Sequence, residues 1–250
     1  MEAVFFAFDE LKPYEARLAG ATCTAVETRG KAMLTRFDNA LTLYSHNQLY
    51  GRWYTGPRGR LPQTNRSLRV ALHTAERSAL LYSASEVEVL NAEAEAAHPF
   101  LNRVGPDILD RGLTAADIER RLGEQRFRRR SLAALYLDQG FLAGVGNYLR
   151  SEILHRAGLH PALRPVDIGE DERNRLAAET LAIARRSYRT GGVTLTDARA
   201  REAREESGRS ERFWVFSRAG KPCRDCGRRI ERAELSGRRI YFCARCQPSG

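Results

Sequence analysis

Four of the five cysteines stand in two closely spaced pairs near the end of this 250-residue chain. Cys223 and Cys226 form one C-x2-C pair, and Cys243 and Cys246 form the other, sixteen residues further on. Each pair can present two thiolates from one tight turn, and two such turns complete a tetrahedral Zn²⁺ site. Because sulfur would occupy all four positions, the sequence predicts one structural zinc ion with no open position for catalysis.

The alternative for these cysteines is a pair of redox dithiols. That chemistry is typical of a thioredoxin-like βαβ context, which this sequence lacks. An odd cysteine count with four residues in tight pairs favours metal binding in a reducing cytosol over disulfides. We therefore expect a cytoplasmic protein, in which the fifth cysteine, Cys23, is a small buried hydrophobe in a strand.

A glycine-rich turn precedes a helical pattern in the middle of the chain. Gly144 and Gly146 permit a tight turn, and the helix expected at 147–157 begins directly after it. Such a turn points backbone N–H groups and the Asn147 amide outward, which suits a phosphate. A single Gly-x-Gly is weak evidence, so this prediction depends on the surrounding segments.

The charge of the chain indicates a polyanionic partner. Its 41 Lys and Arg residues outnumber its 31 Asp and Glu residues, for a formal net charge of +10. Basic residues cluster at 120–130 and again from 209 to 250. A solvated charged face would explain either cluster alone. Both flank recognisable motifs, however, which favours nucleic acid, since phosphate contacts by arginine supply most of such affinity.

The secondary structure predicted to position these residues changes along the chain from strands to helices. Short alternating or β-branched runs dominate residues 21–95 and indicate a sandwich or barrel. Pro and Gly between 98 and 106 mark a boundary, after which the pattern becomes helical. Residues 195–211 are polar and are predicted to be a linker or mobile loop. The predicted strands are 21–28, 31–37, 41–45, 67–74 and 78–85, and the predicted helices are 114–123, 131–137, 147–157 and 170–188.

The sequence argues against two classes of protein. No run of 18 apolar residues is present, so we expect no membrane span. The first nine residues, from Met1 to Asp9, have neither a basic segment nor a long apolar segment, so we do not expect a secretory signal.

The order of these motifs resembles that of the bacterial formamidopyrimidine-DNA glycosylase and endonuclease VIII family and favours its endonuclease VIII branch. Residues 137–154 resemble the family's helix-two-turn-helix, and the cysteine hairpin matches in spacing and position. Three further segments are similar to the catalytic-lysine turn, to the loop that enters DNA at the lesion and to an interdomain segment with a DNA-contacting arginine. They are 27–31, 43–51 and 101–106 respectively.

The resemblance implies an α+β multidomain fold. It comprises a truncated catalytic β-sandwich (1–100), a helix-two-turn-helix DNA-binding domain (106–194), the linker (195–211) and a zinc-finger β-hairpin (212–250). It also implies a base-excision-repair DNA glycosylase and apurinic/apyrimidinic lyase that removes oxidised pyrimidines and cleaves the strand by β,δ-elimination. The expected partner is damaged double-stranded DNA, bound by a monomer without membrane association.

Roles for individual residues follow from the same resemblance. Lys31 would assist elimination, and Arg238 would bind a phosphate at the lesion and act in δ-elimination. Arg239 is adjacent, but the spacing to Cys243 favours Arg238; the alternative is one more surface arginine. His46 is expected to be structural. The residues expected to contact DNA are Gln48, Leu49 and Tyr50, which would fill the gap left by the extruded base, and Arg103 and Asn147, which would bind phosphates.

One family motif has no counterpart in these 250 residues. Members begin, after removal of Met, with Pro-Glu-Gly-Pro, in which the proline amine is the nucleophile and the glutamate is the general acid. Glu2 stands in a different context and is not that glutamate. Two interpretations remain: a start codon placed too far downstream, or a catalytically inactive damaged-DNA-binding protein.

Overall fold

A computed structural model describes residues 1–48, 50–208 and 211–249 of the protein. The chain divides into two compact units, Met1–Arg103 and Val104–Gly250. The first unit is built mainly of strands, and the second is helical with a C-terminal hairpin. Within the described ranges, no helix has both the length and the apolar character needed to cross a membrane.

The first unit is a β-sandwich of two four-stranded antiparallel sheets. Three short helices accompany the strands: α1 (Pro13–Leu18), α2 (Ala92–Ala97) and α3 (Pro99–Arg103). The eight strands are β1 (Ala3–Phe6), β2 (Cys23–Arg29), β3 (Ala32–Phe37), β4 (Thr42–His46), β5 (Arg52–Pro57), β6 (Leu68–His73), β7 (Arg77–Tyr82) and β8 (Glu86–Leu90). One sheet has the order β1-β6-β7-β5 and the other has the order β2-β3-β4-β8.

Apolar side chains from both sheets form the core of the sandwich. Phe6, Val70 and Leu81 come from the first sheet and Leu43 from the second, and none of the four is exposed to solvent. Alternate residues of a strand point to opposite faces, so the strand pattern itself sends these side chains inward. Helix α1 adds Leu18 to the same cluster.

The five runs predicted as strands correspond to β2, β3, β4, β6 and β7, with ends that differ by up to three residues. Strand β5 was not among them, because Gly56-Pro57 is a turn signal. Proline is tolerated here because β5 lies at the edge of its sheet. Strand β8 alternates Glu and Val, but it lies beyond the last predicted run.

The second unit is a helical bundle followed by a hairpin. The predicted helices are confirmed, including the start of α4, where Thr114 and Asp117 form a capping box. The elements are α4 (Ala115–Gly123), α5 (Leu132–Leu135), α6 (Asn147–Ala157), α7 (Glu170–Arg189), α8 (Asp197–Ser207), β9 (Glu231–Leu235) and β10 (Arg238–Phe242).

Helix α6 lies at the centre of this unit. It packs against both α7 and β10. Side chains on every side of it are buried, including the polar residues Arg150, Glu152 and His155. A helix buried all round must pair each of these polar groups inside the protein, so α6 can fix the position of several neighbouring segments.

The structure corrects the prediction of a loop over 195–211. Residues Asp197–Ser207 form helix α8, whose start is capped by the Thr196 side chain. Arg199 pairs with both Glu202 and Glu206 along the helix, and Ala203 is buried against the cluster that contains Trp214. Capping, ion pairs and one small apolar anchor hold a segment whose polar composition indicated a loop. The remaining domain limits stay a prediction.

Candidate nucleic-acid interface

Lys31 lies at one end of the sheet formed by β2, β3, β4 and β8. It follows Gly30, whose φ of +61° suits the tight turn between β2 and β3. Ala32 pairs with His46 in the antiparallel register, so the start of β3 and the end of β4 share this end of the sheet. The exposed Lys31 side chain therefore lies beside the loop that follows β4.

The loop after β4 carries the predicted wedge residues. Gln48 and Tyr50 are exposed, and the Tyr50 side chain is 69% accessible. Leu49, the third predicted wedge residue, lies outside the described residues. Arg66 donates a hydrogen bond to the Tyr50 carbonyl. The structure thus brings Lys31, Gln48 and Tyr50 to one end of the sheet, as a DNA-inserting role for this loop would require.

His46 anchors the start of this loop. Burial lowers the pKa of His46, and the Lys31 cation also lowers it, against the opposing effect of Glu86. The ring is therefore neutral at neutral pH, and its Nδ1 accepts a hydrogen bond from the Gln48 backbone N–H at 3.2 Å. This contact fits the structural role predicted for His46.

Arg103 is the last residue of α3. Its Nε donates to the Pro99 carbonyl at 2.9 Å, and its side chain is exposed. The bond fixes the guanidinium at Nε and leaves its two terminal nitrogens toward solvent. A phosphate-binding role for Arg103 remains a prediction.

In the second unit, the four paired cysteines form the metal site. Their sulfur atoms lie within 4.8 Å of one another, with Cys223–Cys246 at 3.9 Å and Cys226–Cys243 at 3.5 Å. A tetrahedral zinc ion with Zn–S bonds of about 2.3 Å places its sulfur ligands about 3.8 Å apart. The cluster therefore fits one structural Zn²⁺, as predicted from the sequence.

Helix α6 supports the metal site through a buried histidine. Burial alone would lower the pKa of His155, but hydrogen bonds to Asp225 and Cys223 raise it to about 9. The other ring nitrogen lies 3.3 Å from the Gln247 side-chain carbonyl. That carbonyl also accepts the backbone N–H of Cys243. Outer contacts of this kind orient the ligands of a metal.

Asn147, the first residue of α6, is tied to the hairpin. Its Nδ2 donates to the Arg239 carbonyl at 2.9 Å, and its Oδ1 accepts from Arg150 at 2.7 Å. The sequence predicted that this amide points outward. In the structure it is instead bonded on both sides, to the Arg239 carbonyl and to Arg150. Among the described residues, no second acceptor is recorded for Asn147 Nδ2. The N–H groups of the first turn of α6 lack partners within the helix, as at any helix start, and suit a phosphate.

Arg150 is completely buried and fastens the hairpin to α6. Its guanidinium donates to the carbonyls of Ala133, Leu235, Arg238 and Arg239 over 2.9–3.4 Å. Burial, followed by the nearby Arg238 cation, lowers the pKa of Arg150 to about 10. The group is still charged at neutral pH. It holds the backbone of the turn on which Arg238 stands.

Arg238 is the first residue of β10 and is exposed. It follows the turn at Ser236-Gly237, where both residues have positive φ. Its neighbour Arg239 is exposed as well. The hairpin predicted between Ile230 and Phe242 is confirmed, and Arg238 lies at its tip, as predicted.

Sequence reasoning missed the contribution of Glu152. Its buried carboxylate accepts the backbone N–H groups of Trp214, Val215 and Phe216 at 2.8–2.9 Å, and also the Thr194 hydroxyl. One side chain of α6 therefore fixes the segment that leads into the zinc site. Helix α6 also carries arginine, serine and histidine, so no local signal distinguished Glu152 from a solvent-exposed glutamate.

Three domains of known protein families match the chain, in the order described above. The family models for the formamidopyrimidine-DNA glycosylase N-terminal domain, its H2TH domain and the zinc finger found in FPG and IleRS match residues 4–85, 104–199 and 220–248. Endonuclease 8 of Salmonella enteritidis is 50% identical over 244 residues, which cover 98% of this chain and 90% of the relative. Endonuclease 8 of Salmonella typhi gives the same values.

This chain belongs to the formamidopyrimidine-DNA glycosylase and endonuclease VIII family. The fold agrees with that membership. Lactococcus lactis Fpg bound to DNA with an AP site superposes with a TM-score of 0.80 at 18% identity and covers 99% of this chain and 92% of its own. The same enzyme with DNA containing an oxidized pyrimidine gives a TM-score of 0.79 at 17% identity, over 99% and 91% of the two chains. Within the family, the described residues supply the four-cysteine hairpin.

Proposed function

We propose that this protein excises oxidised pyrimidines from duplex DNA and then cleaves the strand by β,δ-elimination. Its class, a DNA glycosylase and abasic-site lyase of base excision repair, follows from the family, at 50% identity to Endonuclease 8. The substrate class and the roles of single residues are the proposal. The observation that supports it is the placement of Lys31 beside the loop after β4 (residues 47–51, the wedge loop), in which Gln48 and Tyr50 are exposed.

The wedge loop provides the means to expose the target base. Chemistry on a base inside a duplex requires that the nucleotide be flipped out, and the vacated space must be filled. Gln48, Leu49 and Tyr50 fill it in this proposal, and apolar contact offsets part of the unstacking cost. The exposure of Tyr50 supports this role.

In the family's reaction an N-terminal proline amine, which these 250 residues do not contain, attacks C1′ and displaces the base. The sugar ring then opens to give a Schiff base at C1′, and two eliminations follow. Loss of the C2′ proton breaks the C3′–O bond and releases the 3′ phosphate. Loss of the C4′ proton then breaks the C5′–O bond and releases the 5′ phosphate. Lys31 interacts with the reacting nucleotide, and Arg238 stabilises the negative charge of a lesion phosphate. Arg103 and Asn147 bind phosphates around the kinked duplex.

The oligomeric state and cellular location of the protein are also part of the proposal. We infer a monomer that acts on damaged duplex DNA in the bacterial cytoplasm, held near the nucleoid by its affinity for DNA. The net charge of +10 supports a partner that is negatively charged along its whole length.

Cleavage of matched duplexes tests the proposed function. One duplex carries 5-hydroxyuracil and the other carries 8-oxoguanine at the same position. We expect the pyrimidine lesion to be cleaved at least about tenfold faster, because a pocket built for one base leaves polar groups unpaired with another. The product should carry a 3′ phosphate, the mark of β,δ-elimination. Faster cleavage of the purine lesion, or binding without any cleavage, would contradict the proposal.

Salt dependence tests how the protein holds DNA. With about five to eight phosphates neutralised, log K against log salt should have a slope of about −4 to −7 for a duplex with an abasic analogue. Asn147→Ala should weaken binding to all such duplexes similarly, because it contacts phosphate and also positions the hairpin. Asn174→Ala, on the exposed face of α7, is the control and should change nothing. A response that is flat with salt would exclude nucleic acid as the partner.

A further inference from the structure

In the wedge loop, contacts among the described residues Asn47, Gln48 and Gly51 restrict the backbone. The Gly51 N–H donates to the Asn47 carbonyl at 2.7 Å. A Cβ atom at position 51 would lie 2.6 Å from the Asn47 Cα, so only glycine fits. Gln48 has a φ of +44°, in the left-handed region. Such a backbone persists only where neighbouring groups hold it in place.

Glu86, on strand β8, lies against the loop and against His46, the residue before it. It pairs with His46 in the register of β4 and β8, and one carboxylate oxygen lies 3.6 Å from His46 Nδ1. The other oxygen accepts a hydrogen bond from the Gln48 side-chain amide. A single carboxylate therefore binds the exposed amide of the loop and lies beside the histidine whose neutral Nδ1 already accepts the Gln48 backbone N–H.

This contact determines which end of the Gln48 amide faces solvent. An ionised carboxylate has no proton to donate and can only accept, so the NH₂ group of Gln48 must be the end that faces Glu86. Among the described residues, the structure records no donor to the Gln48 side-chain carbonyl oxygen. Because the residue is exposed, the loop offers a hydrogen-bond acceptor at its surface.

We propose that Glu86 is a specificity-determining positioning residue, which holds Gln48 so that its carbonyl accepts a hydrogen bond from the base left unpaired opposite the flipped lesion. The inference rests on the proposed function, since only a protein that flips out a nucleotide meets such a base. The feature that Gln48 would recognise is a hydrogen-bond donor on the Watson–Crick edge of that base, such as the 6-amino group of adenine.

Binding to matched duplexes tests the inference. Each duplex carries a tetrahydrofuran abasic analogue, with either adenine or unsubstituted purine opposite it; purine lacks only the 6-amino group. We expect the native protein to bind the adenine duplex about three- to tenfold more tightly, the effect of one net hydrogen bond. In Glu86→Gln the amide partner can donate as well as accept, so Gln48 can turn over and the ratio should fall below about twofold.

Controls separate this role from a general loss of structure or charge. Glu88→Gln removes a carboxylate two residues along the same strand, where it contacts His98, and should retain the native ratio. Gln48→Met should bind the adenine and purine duplexes equally, whether or not Glu86→Gln is also present. Circular dichroism and binding to the adenine duplex check that each variant is folded.

The outcomes distinguish the inference from the proposed function. If the native protein prefers abasic over intact duplex but binds the adenine and purine duplexes equally, the inference is overturned. It is equally overturned if Glu86→Gln keeps the native ratio. If the native protein shows no preference for abasic duplex at all, the proposed function fails instead.

Discussion

Replacing Cys226 with serine is expected to release zinc and to weaken binding to abasic duplex by about 100-fold or more. Structural zinc binding contributes roughly 10–16 kcal/mol to folding of such small sites, so the hairpin cannot keep its shape without the ion. The loss removes the support for Arg238, whose charged hydrogen bond is worth about 1.5–3 kcal/mol, and for the Arg239 carbonyl that positions Asn147. Metal analysis and equilibrium binding measure the two effects.

The fifth cysteine provides a matched control for this prediction. Cys23 lies on β2 in the first unit and is no part of the four-cysteine cluster. Cys23→Ser should leave zinc content at one equivalent and binding within about twofold, since it removes one thiol and no metal ligand. Native protein with well under one equivalent of zinc, or Cys226→Ser with native affinity, would disprove the structural role of the ion.

Replacing Arg238 with alanine is expected to weaken binding at an abasic site by about 10- to 100-fold, the effect of one charge-assisted hydrogen bond to phosphate. It should also stop the reaction after β-elimination, so the product keeps a sugar fragment on its 3′ end. Gel mobility of the cleaved strand separates the two products. The expectation depends on the exposure of Arg238 at the tip of the hairpin.

Arg239→Ala is the paired test, because it removes the same charge from the next residue. Consecutive residues of a strand point to opposite faces, so both side chains cannot reach one phosphate in the same way. The backbone carbonyl of Arg239, which accepts from Asn147, is unchanged by the substitution. We expect less than about a threefold effect on binding. A larger loss in Arg239→Ala than in Arg238→Ala would reverse the assignment.

Much of the architecture could be predicted because its signals are local. The two C-x2-C pairs, the Thr114 cap and the hydrophobic pattern of the helices each lie within a few residues, so spacing alone reveals them. The helix at Asp197–Ser207 was missed because one buried alanine and several ion pairs stabilise it, and neither gives an apolar period. Strand β5 was missed because its final Gly56-Pro57 is also a turn signal.

The parts of the site that escaped prediction depend on contacts between distant residues. Glu86 is one of several charged residues that alternate along β8, and the Gln48 amide it binds lies 38 positions earlier. Arg150 stands in a helical run where an exposed arginine is the ordinary expectation, yet its partners include carbonyls 85–89 positions later. No local pattern reveals such pairs, since they exist only once the register of the strands and the packing of α6 are fixed.

The buried carboxylate of Glu152 also sets an order of events during synthesis. Its first backbone partner, Trp214, follows 62 residues later in the chain. At elongation rates of about 5–20 residues per second, Glu152 is synthesised roughly 3–12 s before that partner. Until then the carboxylate must stay hydrated, because burying it unpaired is costly. The helical half of this unit therefore cannot close before the C-terminal segment arrives, and its nascent form remains open to chaperones and proteases for that interval.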